Sequence, residues 1–373
     1  MTTPVRTGRR LPDIFPELGP VTRLVLFADF ADQGPVPSAD AWRAESAVII
    51  GHGLSGVARR VIHERALPVP PEVLDAIQRS QFDEMALSAM TVNRSKDGID
   101  ALRAAGIRFA VTKGAGIAQV ARAVADRPYV DLDVLVDPDR FTEAKAVLGA
   151  RGYVEREHSR QPWDLFDRWC REAVNLRTAT GGSIDLHHQV SPWYWSGPLS
   201  RSILEAEPGR STVFGVEIPI VSPVHNFLVC ALHVVSDKSR PGQTLRAWRD
   251  LLVLADACSV DAVVTAARQN GLCEWVAWIL DCLPDEVRPT ELRAGLDGQP
   301  SDLRGRFRLR TLIPPGYGAH PLLGHVFRLP VPNAALFAAG TIVPSREFLR
   351  HRYPEGRRHY RTWWRDSVGN INP

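Results

Sequence analysis

Apolar side chains recur at helical spacing through the first hundred residues of the chain. On the segment 53–65 they return every three or four residues, which is typical of an amphipathic helix. The same spacing predicts a helix over 41–52 and a long one over 73–105, which starts after a Pro-Pro pair, where proline suits a first helical turn. We therefore expect an N-terminal helical region at residues 21–106, preceded by an extended lead-in at residues 1–20.

The pattern then changes to short apolar runs that alternate with helical stretches. Runs rich in β-branched residues between turn-forming residues predict strands, and the longer periodic runs between them predict helices. The predicted strands lie at 107–111, 130–136, 173–177 and 183–187, the predicted helices at 115–125 and 139–150, and an edge-like stretch at 212–221. This alternation predicts a small mixed sheet within a core at residues 107–221.

Helical periodicity returns in residues 222–373. The predicted helices cover 225–235, 245–258, 260–270 and 274–282, and the chain continues into a basic aromatic tail that includes Arg357 to Arg365. The fold class that follows is α+β: a small mixed-sheet core flanked by N-terminal and C-terminal helical regions.

Composition and charge narrow the function only slightly. The 373 residues carry 45 Lys and Arg against 42 Asp and Glu, a balance that gives no argument by itself for nucleic acid or an acidic membrane as partner. No apolar run is long enough to span a membrane, and the first residues lack the apolar stretch of a secretory signal. The five cysteines include no CxxC pair, so we expect reduced thiols in a cytoplasmic protein without a zinc site.

Two aspartates alternate with apolar residues at the start of the strand predicted over 130–136. Because residues i and i+2 of a strand point to the same face, Asp131 and Asp133 aim their carboxylates at one place. Asp185, between Ile184 and Leu186, has the same arrangement on another predicted strand. Three carboxylates on adjacent strands suit a hard divalent cation such as Mg²⁺, or Mn²⁺, for phosphoryl transfer. The alternative for an isolated Asp-x-Asp is a solvated strand end.

The pair Lys113-Gly114 follows a predicted strand and opens a predicted helix. A glycine there allows the backbone to approach a phosphate, and Lys113 adds a positive charge. The alternative is an ordinary turn with a solvated lysine. The turn lacks the GxxxxGK[ST] pattern of a P-loop, and the sequence shows no protein-kinase, Rossmann or serine-hydrolase signature.

The order strand, Lys-Gly turn, helix, Asp-x-Asp strand, helix, Asp strand resembles the nucleotidyltransferase superfamily that includes DNA polymerase β. More closely, the chain is similar to an uncharacterised bacterial nucleotidyltransferase family. The matching residues are Lys113-Gly114, Arg127, the run Asp131-Leu132-Asp133-Val134-Leu135-Val136 and the run Ile184-Asp185-Leu186-His187. The similarity covers roughly residues 45–365.

The resemblance implies transfer of a nucleoside monophosphate from an NTP, with Asp131, Asp133 and Asp185 as catalytic metal ligands. Asp185 is also our candidate for activating the attacking hydroxyl. The usual Gly-Ser of the wider superfamily is replaced here by Lys-Gly, so Lys113 is the candidate substitute on the triphosphate. Arg127 lies either near the triphosphate or in an ion pair, and His187 is either next to the metal or structural.

Other candidates are weaker. Arg246 and Arg249 either reach a nucleotide phosphate from the helical region or form ion pairs, and His188 and His233 are expected to be structural. Trp193, Tyr194 and Trp195 either stack on a base or acceptor or cap the core. The basic tail from Arg357 to Arg365 either contacts RNA or phosphates or forms an amphipathic helix docked by Tyr360, Trp363 and Trp364.

The acceptor of the transferred group is not encoded by any motif. We favour a small molecule or peptide with a hydroxyl, amine or phosphate, because the balanced charge argues mildly against a large RNA footprint. The alternatives are transfer to tRNA or to a protein, and a non-catalytic nucleotide-binding module of the same fold.

Overall fold

The computed structural model describes residues 18–31, 34–156, 159–191, 196–236, 245–299, 331–353 and 359–368. Most of the predicted lead-in, the aromatic residues Trp193, Tyr194 and Trp195, and the tail residues Arg357 and Arg358 lie outside these ranges. The described residues form helices around one seven-stranded mixed sheet, which confirms the predicted α+β class.

Four helices precede the sheet, at positions close to the predicted ones. They are α1 (Pro20–Leu26), α2 (Ala39–Gly51), α3 (Ser55–Glu64) and α4 (Pro71–Ala104). The hydroxyl of Ser38 accepts a hydrogen bond from the amide of Ala41 and so caps α2, while Pro71 occupies the first turn of α4. At 34 residues, α4 is long enough to cross the whole sheet.

The sheet has the strand order β3-β4-β5-β2-β1-β7-β6. Its strands are β1 (Phe109–Thr112), β2 (Leu132–Val136), β3 (Val154–Glu155), β4 (Ala173–Arg177), β5 (Ser183–His187), β6 (Gly209–Val213) and β7 (Val216–Ile220). The β2–β5 and β1–β7 pairs are parallel and the other pairs antiparallel, so the mixed sheet is confirmed.

Helices connect the strands and follow the sheet. Those between strands are α5 (Gly114–Ala118), α6 (Phe141–Gly149), α7 (Asp164–Cys170) and α8 (Gly197–Glu205). Those after it are α9 (Pro223–Ser236), α10 (Leu245–Asp256), α11 (Val260–Gln269), α12 (Cys273–Leu280), α13 (Thr290–Gly295), α14 (Val331–Ile342), α15 (Arg346–Arg352) and α16 (His359–Val368). No helix in the described ranges combines the length and the apolar character that crossing a membrane requires.

Two local predictions need correction, and the short strand β3 was not predicted. The helix predicted over 115–125 ends at Ala118, and a short 3₁₀ turn follows at Val124–Asp126, where the buried Asp126 bonds to Arg60 of α3 and draws the chain away from the helix axis. The stretch predicted as one edge at 212–221 is the hairpin β6–β7. Strand β3 has only two residues, too few to show an alternating pattern.

The central strand β2 is apolar on both faces because each face contacts a different hydrophobic core. Val134 and Val136 pack with residues of α4, such as Val92 and Ile99. Leu135 instead joins a second core, which contains the helices before the sheet and those after it. Because this second core joins both helical regions, the domain boundaries expected at 106 and 221 stay a prediction.

Candidate functional site

Strand register brings two of the predicted carboxylates side by side. Asp133 of β2 lies opposite Asp185 of the parallel strand β5, and on its other side it lies opposite Thr112 of β1. One ligand atom each from Asp133, Asp185 and His187 lie within 4.8 Å of one another. Asp131 directly precedes β2 and is half-buried. The fold therefore brings Asp133, Asp185 and His187 together, while Asp131 lies near enough for its charge to interact with those of Asp133 and Asp185.

The pKa values of the three aspartates are shifted in different directions. Burial, with the negative charges of Asp133 and Asp185, raises the pKa of Asp131 to about 6. Burial and the charge of Asp133 also raise the pKa of Asp185. Burial would raise the pKa of Asp133 as well, but the charge of Lys113 and a hydrogen bond from His187 lower it below its ordinary value. The three acids therefore repel one another, and Asp133 carries the most stable negative charge.

Lys113 lies where its ammonium offsets that charge. Its Nζ is 2.9 Å from Oδ1 of Asp133, and both side chains are largely buried. Its backbone has φ 53° and ψ −123°, a conformation that is costly for a residue with a Cβ. The amide of Lys113 donates to Oδ1 of Asn226 of α9 at 2.8 Å, which helps to hold this conformation. Strained backbone held in place by its surroundings is typical of functional sites.

Gly114 is required by packing. A Cβ at this position would lie 2.7 Å from Cβ of Tyr129, a buried residue four positions before Asp133. Tyr129 is in turn fixed to α4, because its amide donates to Oγ of Ser88 at 2.9 Å. The Lys-Gly turn is thus packed directly against the segment that leads into the Asp-x-Asp strand. Contact of Gly114 with a ligand stays a prediction.

His187 makes two hydrogen bonds that together define its protonation. Its Nε2 lies 3.1 Å from Oδ1 of Asp133, and its Nδ1 lies 3.1 Å from the carbonyl oxygen of Gln189. Carbonyl and carboxylate oxygens accept hydrogen bonds, so the imidazolium form of the ring, with a proton on each nitrogen, satisfies both contacts. Burial lowers the pKa of His187, but the hydrogen bond to Asp133 and nearby carboxylates outweigh burial and raise it.

Asn175 is a member of the site that sequence reasoning missed. It lies opposite Asp185 in the antiparallel pair β4–β5, and its amide Nδ2 donates to Oδ1 of Asp185. The alternation of β4 does place Asn175 on the opposite face from Val174 and Leu176. Its partner, however, depends on the strand register, which the sequence alone does not give.

The donor set fits a hard divalent cation. Carboxylate oxygens are the ligands that Mg²⁺ and Mn²⁺ prefer, and a cation would relieve the repulsion among Asp131, Asp133 and Asp185. His187 can contribute a nitrogen, although as an imidazolium it instead orients Asp133 through a hydrogen bond.

Arg127 forms a buried ion pair that ties the site to the C-terminal helices. Its Nε lies 2.6 Å from Oδ1 of Asp250 of α10, and its Nη1 donates to the carbonyl oxygen of Pro128. Arg249 is also ion-paired, to Asp29 near the end of α1. Of the two possibilities for Arg127, the ion pair is therefore present, and contact with a triphosphate stays a prediction.

Two further histidines have structural roles. Nε2 of His188 lies 2.7 Å from the carbonyl oxygen of Arg171, and Nε2 of His233 lies 2.5 Å from that of Val190. In the tail, the indole of Trp363 is buried and donates to the carbonyl oxygen of Thr341, so this part of α16 is docked on α14.

A charged cleft with a volume of about 40 Å³ is lined by residues that follow α1 and by residues of α5 and α10. Its polar lining includes Arg127, Arg246, Arg249 and Asp250, and its apolar lining includes Ile117. Its lining is therefore mostly charged, with both signs present.

The sequence matches the model of a protein family described as uncharacterised nucleotidyltransferase, over residues 38–284. The match includes α2 to α12 and therefore the whole sheet. It also includes Asp131, Asp133, Asp185 and His187. A comparison with curated proteins found no match.

Proposed function

The chain belongs to the uncharacterised nucleotidyltransferase family, and on this premise we propose that it transfers a nucleoside monophosphate from an NTP to an acceptor and releases pyrophosphate. The observation that carries the proposal is the pairing of Asp133 with Asp185 on parallel strands, with His187 beside them. Such a group can hold Mg²⁺ or Mn²⁺, and Asp131 precedes the same strand.

In this proposal Asp131, Asp133 and Asp185 hold the metal. When bound, the cation would neutralise charge on the triphosphate and on the departing pyrophosphate. His187 and Lys113 both contact Oδ1 of Asp133 and so fix the orientation of that carboxylate. Rigid ligands of this kind position a substrate before the reaction, which is where most of the catalysis in phosphoryl transfer originates.

The chemical step is an in-line displacement at the α-phosphorus. A lone pair of the acceptor oxygen or nitrogen forms the new bond to phosphorus, and the bond from phosphorus to the bridging oxygen breaks as pyrophosphate leaves. The acceptor proton passes to Asp185. That role suits Asp185 because Asn175 holds its Oδ1 in place.

Positive charge near the site would bind the triphosphate. Lys113 already faces Asp133, and Gly114 keeps the turn packed on the same segment. Arg127 lies at the other end of that segment, where it lines the charged cleft. We assign Lys113, Gly114 and Arg127 to the nucleotide side of the site, with His187 as support for Asp133.

The acceptor we favour is a small molecule or a peptide. The lining of the cleft mixes acidic and basic side chains, whereas a surface that follows a nucleic-acid backbone is predominantly basic. Transfer to tRNA or to a protein, and nucleotide binding without catalysis, are the competing functions. The five cysteines are all free, which supports a cytoplasmic location.

The proposal is tested by incubating the protein with each NTP labelled on either the α- or the γ-phosphate, with Mg²⁺ or Mn²⁺. Candidate acceptors are small alcohols and amines, peptides and total tRNA. We expect the α-label to move to an acceptor with release of pyrophosphate by wild type and by the control Asp139→Asn, an exposed acid, but not by Asp133→Asn. Equal release of pyrophosphate by wild type and Asp133→Asn would contradict the proposed nucleotidyl transfer. Release of the γ-label as orthophosphate would contradict it as well.

A further inference from the structure

Four arginines line the charged cleft, and three of them have carboxylate partners. Arg127 pairs with Asp250, and Arg249 and Arg122 both pair with Asp29. The fourth is Arg246, on the first turn of α10. Within the described ranges no carboxylate lies within ion-pair distance of its guanidinium. Within the same ranges Arg246 makes one hydrogen bond, a long one of 3.5 Å from Nη1 to the carbonyl oxygen of Pro128.

Arg246 lies where three parts of the fold meet. Its guanidinium is close to the turn between α2 and α3, since a Cβ on Gly53 would lie 2.7 Å from Nη1. It contacts the carbonyl oxygen of Pro128, a residue three positions before Asp131 in the sequence. Glu84 of α4 is near enough to interact electrostatically. The side chain is half-buried, and its charge interacts with that of Asp131.

The surroundings of Arg246 favour an additional anion. The adjacent positive charge of Arg127, together with burial, lowers the pKa of Arg246 to about 10, while Asp250, Glu84 and Asp131 offset this only in part. A guanidinium in such a place is stabilised by any anion that enters the cleft. Phosphate oxygens suit it best, because the planar fork of arginine can donate two parallel hydrogen bonds to them.

We propose that Arg246 is a substrate-binding residue that holds the triphosphate of the NTP from the C-terminal helical side, opposite Lys113. The proposal rests on the proposed function and names a residue other than the three aspartates that would hold the metal. It also implies that the triphosphate lies at the mouth of the charged cleft, with the metal-holding aspartates on one side and α10 on the other.

A different role for Arg246 would be to offset the charge of Glu84, whose Oε2 is buried and has no hydrogen-bond partner among the described residues. Removing Arg246 would then disturb the fold through an unbalanced carboxylate, and removing the charge of Glu84 as well would restore it. A phosphate-binding role predicts no such rescue, since Glu84→Met removes the carboxylate without adding a donor for phosphate.

The test is calorimetric titration of inorganic tripolyphosphate with Mg²⁺, and separately of ATP and GTP with Mg²⁺, into the full chain. We expect Arg246→Gln to raise the Kd for tripolyphosphate at least tenfold, Arg246→Lys to raise it less, and Glu84→Met/Arg246→Gln to bind as weakly as Arg246→Gln. The control Arg268→Gln, an exposed residue of α11, should bind like wild type.

Equal Kd values for wild type and Arg246→Gln, recovery of binding in the double variant, or no binding of any probe by wild type would each overturn the inference. Failure of the proposed function gives a different result. If tripolyphosphate and NTP bind through Arg246 while no α-label is ever transferred, the binding role of Arg246 stands and the transfer reaction does not.

Discussion

The ammonium of Lys113 lies 2.9 Å from Oδ1 of Asp133, although Lys113 can reach that position only with a backbone conformation that favours glycine. The cost of this conformation is of the order of 1–3 kcal/mol. Placing a positive charge next to Asp133 therefore works against the stability of the turn. This is expected of a residue that is kept for its chemistry.

Replacing Lys113 separates the backbone cost from the charge. Lys113→Gly and Lys113→Ala both remove the ammonium, but only glycine accepts φ 53° without strain, so Lys113→Gly should be more stable than Lys113→Ala by about 1 kcal/mol. Urea unfolding of both variants measures the difference. A Lys113→Ala protein as stable as Lys113→Gly would show that the turn is not strained. Both variants should lose pyrophosphate release.

Asp131 should cost stability when no metal is bound. Its carboxylate is half-buried beside Asp133 and Asp185, and burial with these neighbours raises its pKa to about 6, so the ionised form that predominates at pH 7.5 is less stable in the folded protein than in the unfolded chain. Asp131→Asn removes this charge and should raise the free energy of unfolding in EDTA at pH 7.5 by about 1 kcal/mol. Thermal and urea unfolding measure the change.

The control for Asp131→Asn is Asp83→Asn, which alters an exposed residue of α4 and should change stability little. A metal-free Asp131→Asn protein that is less stable than wild type would contradict the repulsion among the carboxylates. In excess Mg²⁺ the order of stability should reverse, because only wild type has all three ligands.

The ion pair between Arg127 and Asp250 should be strongly coupled. Both side chains are buried and their atoms are 2.6 Å apart, so each single variant, Arg127→Gln or Asp250→Asn, leaves a buried charge unpaired and should lose about 3 kcal/mol of stability. The double variant should lose much less than the sum of the two. A double-mutant cycle from urea unfolding gives the coupling energy. Additive losses would contradict a direct pair.

The first part of the site was within reach of sequence reasoning, because it depends on local geometry. Strand alternation was enough to single out Asp133 and Asp185, which the register places side by side, whereas Asp131 lies just before the strand that was predicted to include it. The long helices and the apolar strands were predicted for the same reason: their periodicity lies within a single element.

The rest depends on which elements meet. Asn175 faces Asp185 only because β4 and β5 pair in one register, and Arg127 meets Asp250 across 123 residues of chain. Neither pairing leaves a periodic trace in the sequence. The shortened α5 has the same origin, since the residues after it are drawn away by contacts with other helices.

Acid should weaken the helical side of the cleft through Asp29. Burial would raise the pKa of Asp29, but hydrogen bonds and charge from Arg60 and Arg249 lower it below 3.8. Stability from these contacts is therefore complete above about pH 4 and is lost as pH falls through the lower pKa of the folded protein. Unfolding in urea from pH 6 to pH 2.5 should show a steeper loss for wild type than for Asp29→Asn.

Asp126, which also bonds to Arg60, is the matched comparison for Asp29. Burial raises its pKa above the ordinary value, so its protonation favours the folded state and opposes the loss from Asp29. Asp126→Asn should therefore retain the full acid sensitivity. If Asp29→Asn and wild type follow the same pH profile, the contacts of Asp29 with Arg60 and Arg249 do not contribute as proposed.

The proposed metal site at Asp133 and Asp185 is tested most directly by measuring Mn²⁺ binding with electron paramagnetic resonance, in the presence of a non-hydrolysable NTP analogue. We expect wild type and the control Asp139→Asn to bind Mn²⁺ with the analogue. We expect Asp133→Asn and Asp185→Asn to bind it at least tenfold more weakly while remaining folded. Mn²⁺ affinities of Asp133→Asn and Asp185→Asn equal to that of wild type would contradict a metal-dependent nucleotidyl-transfer centre at these carboxylates.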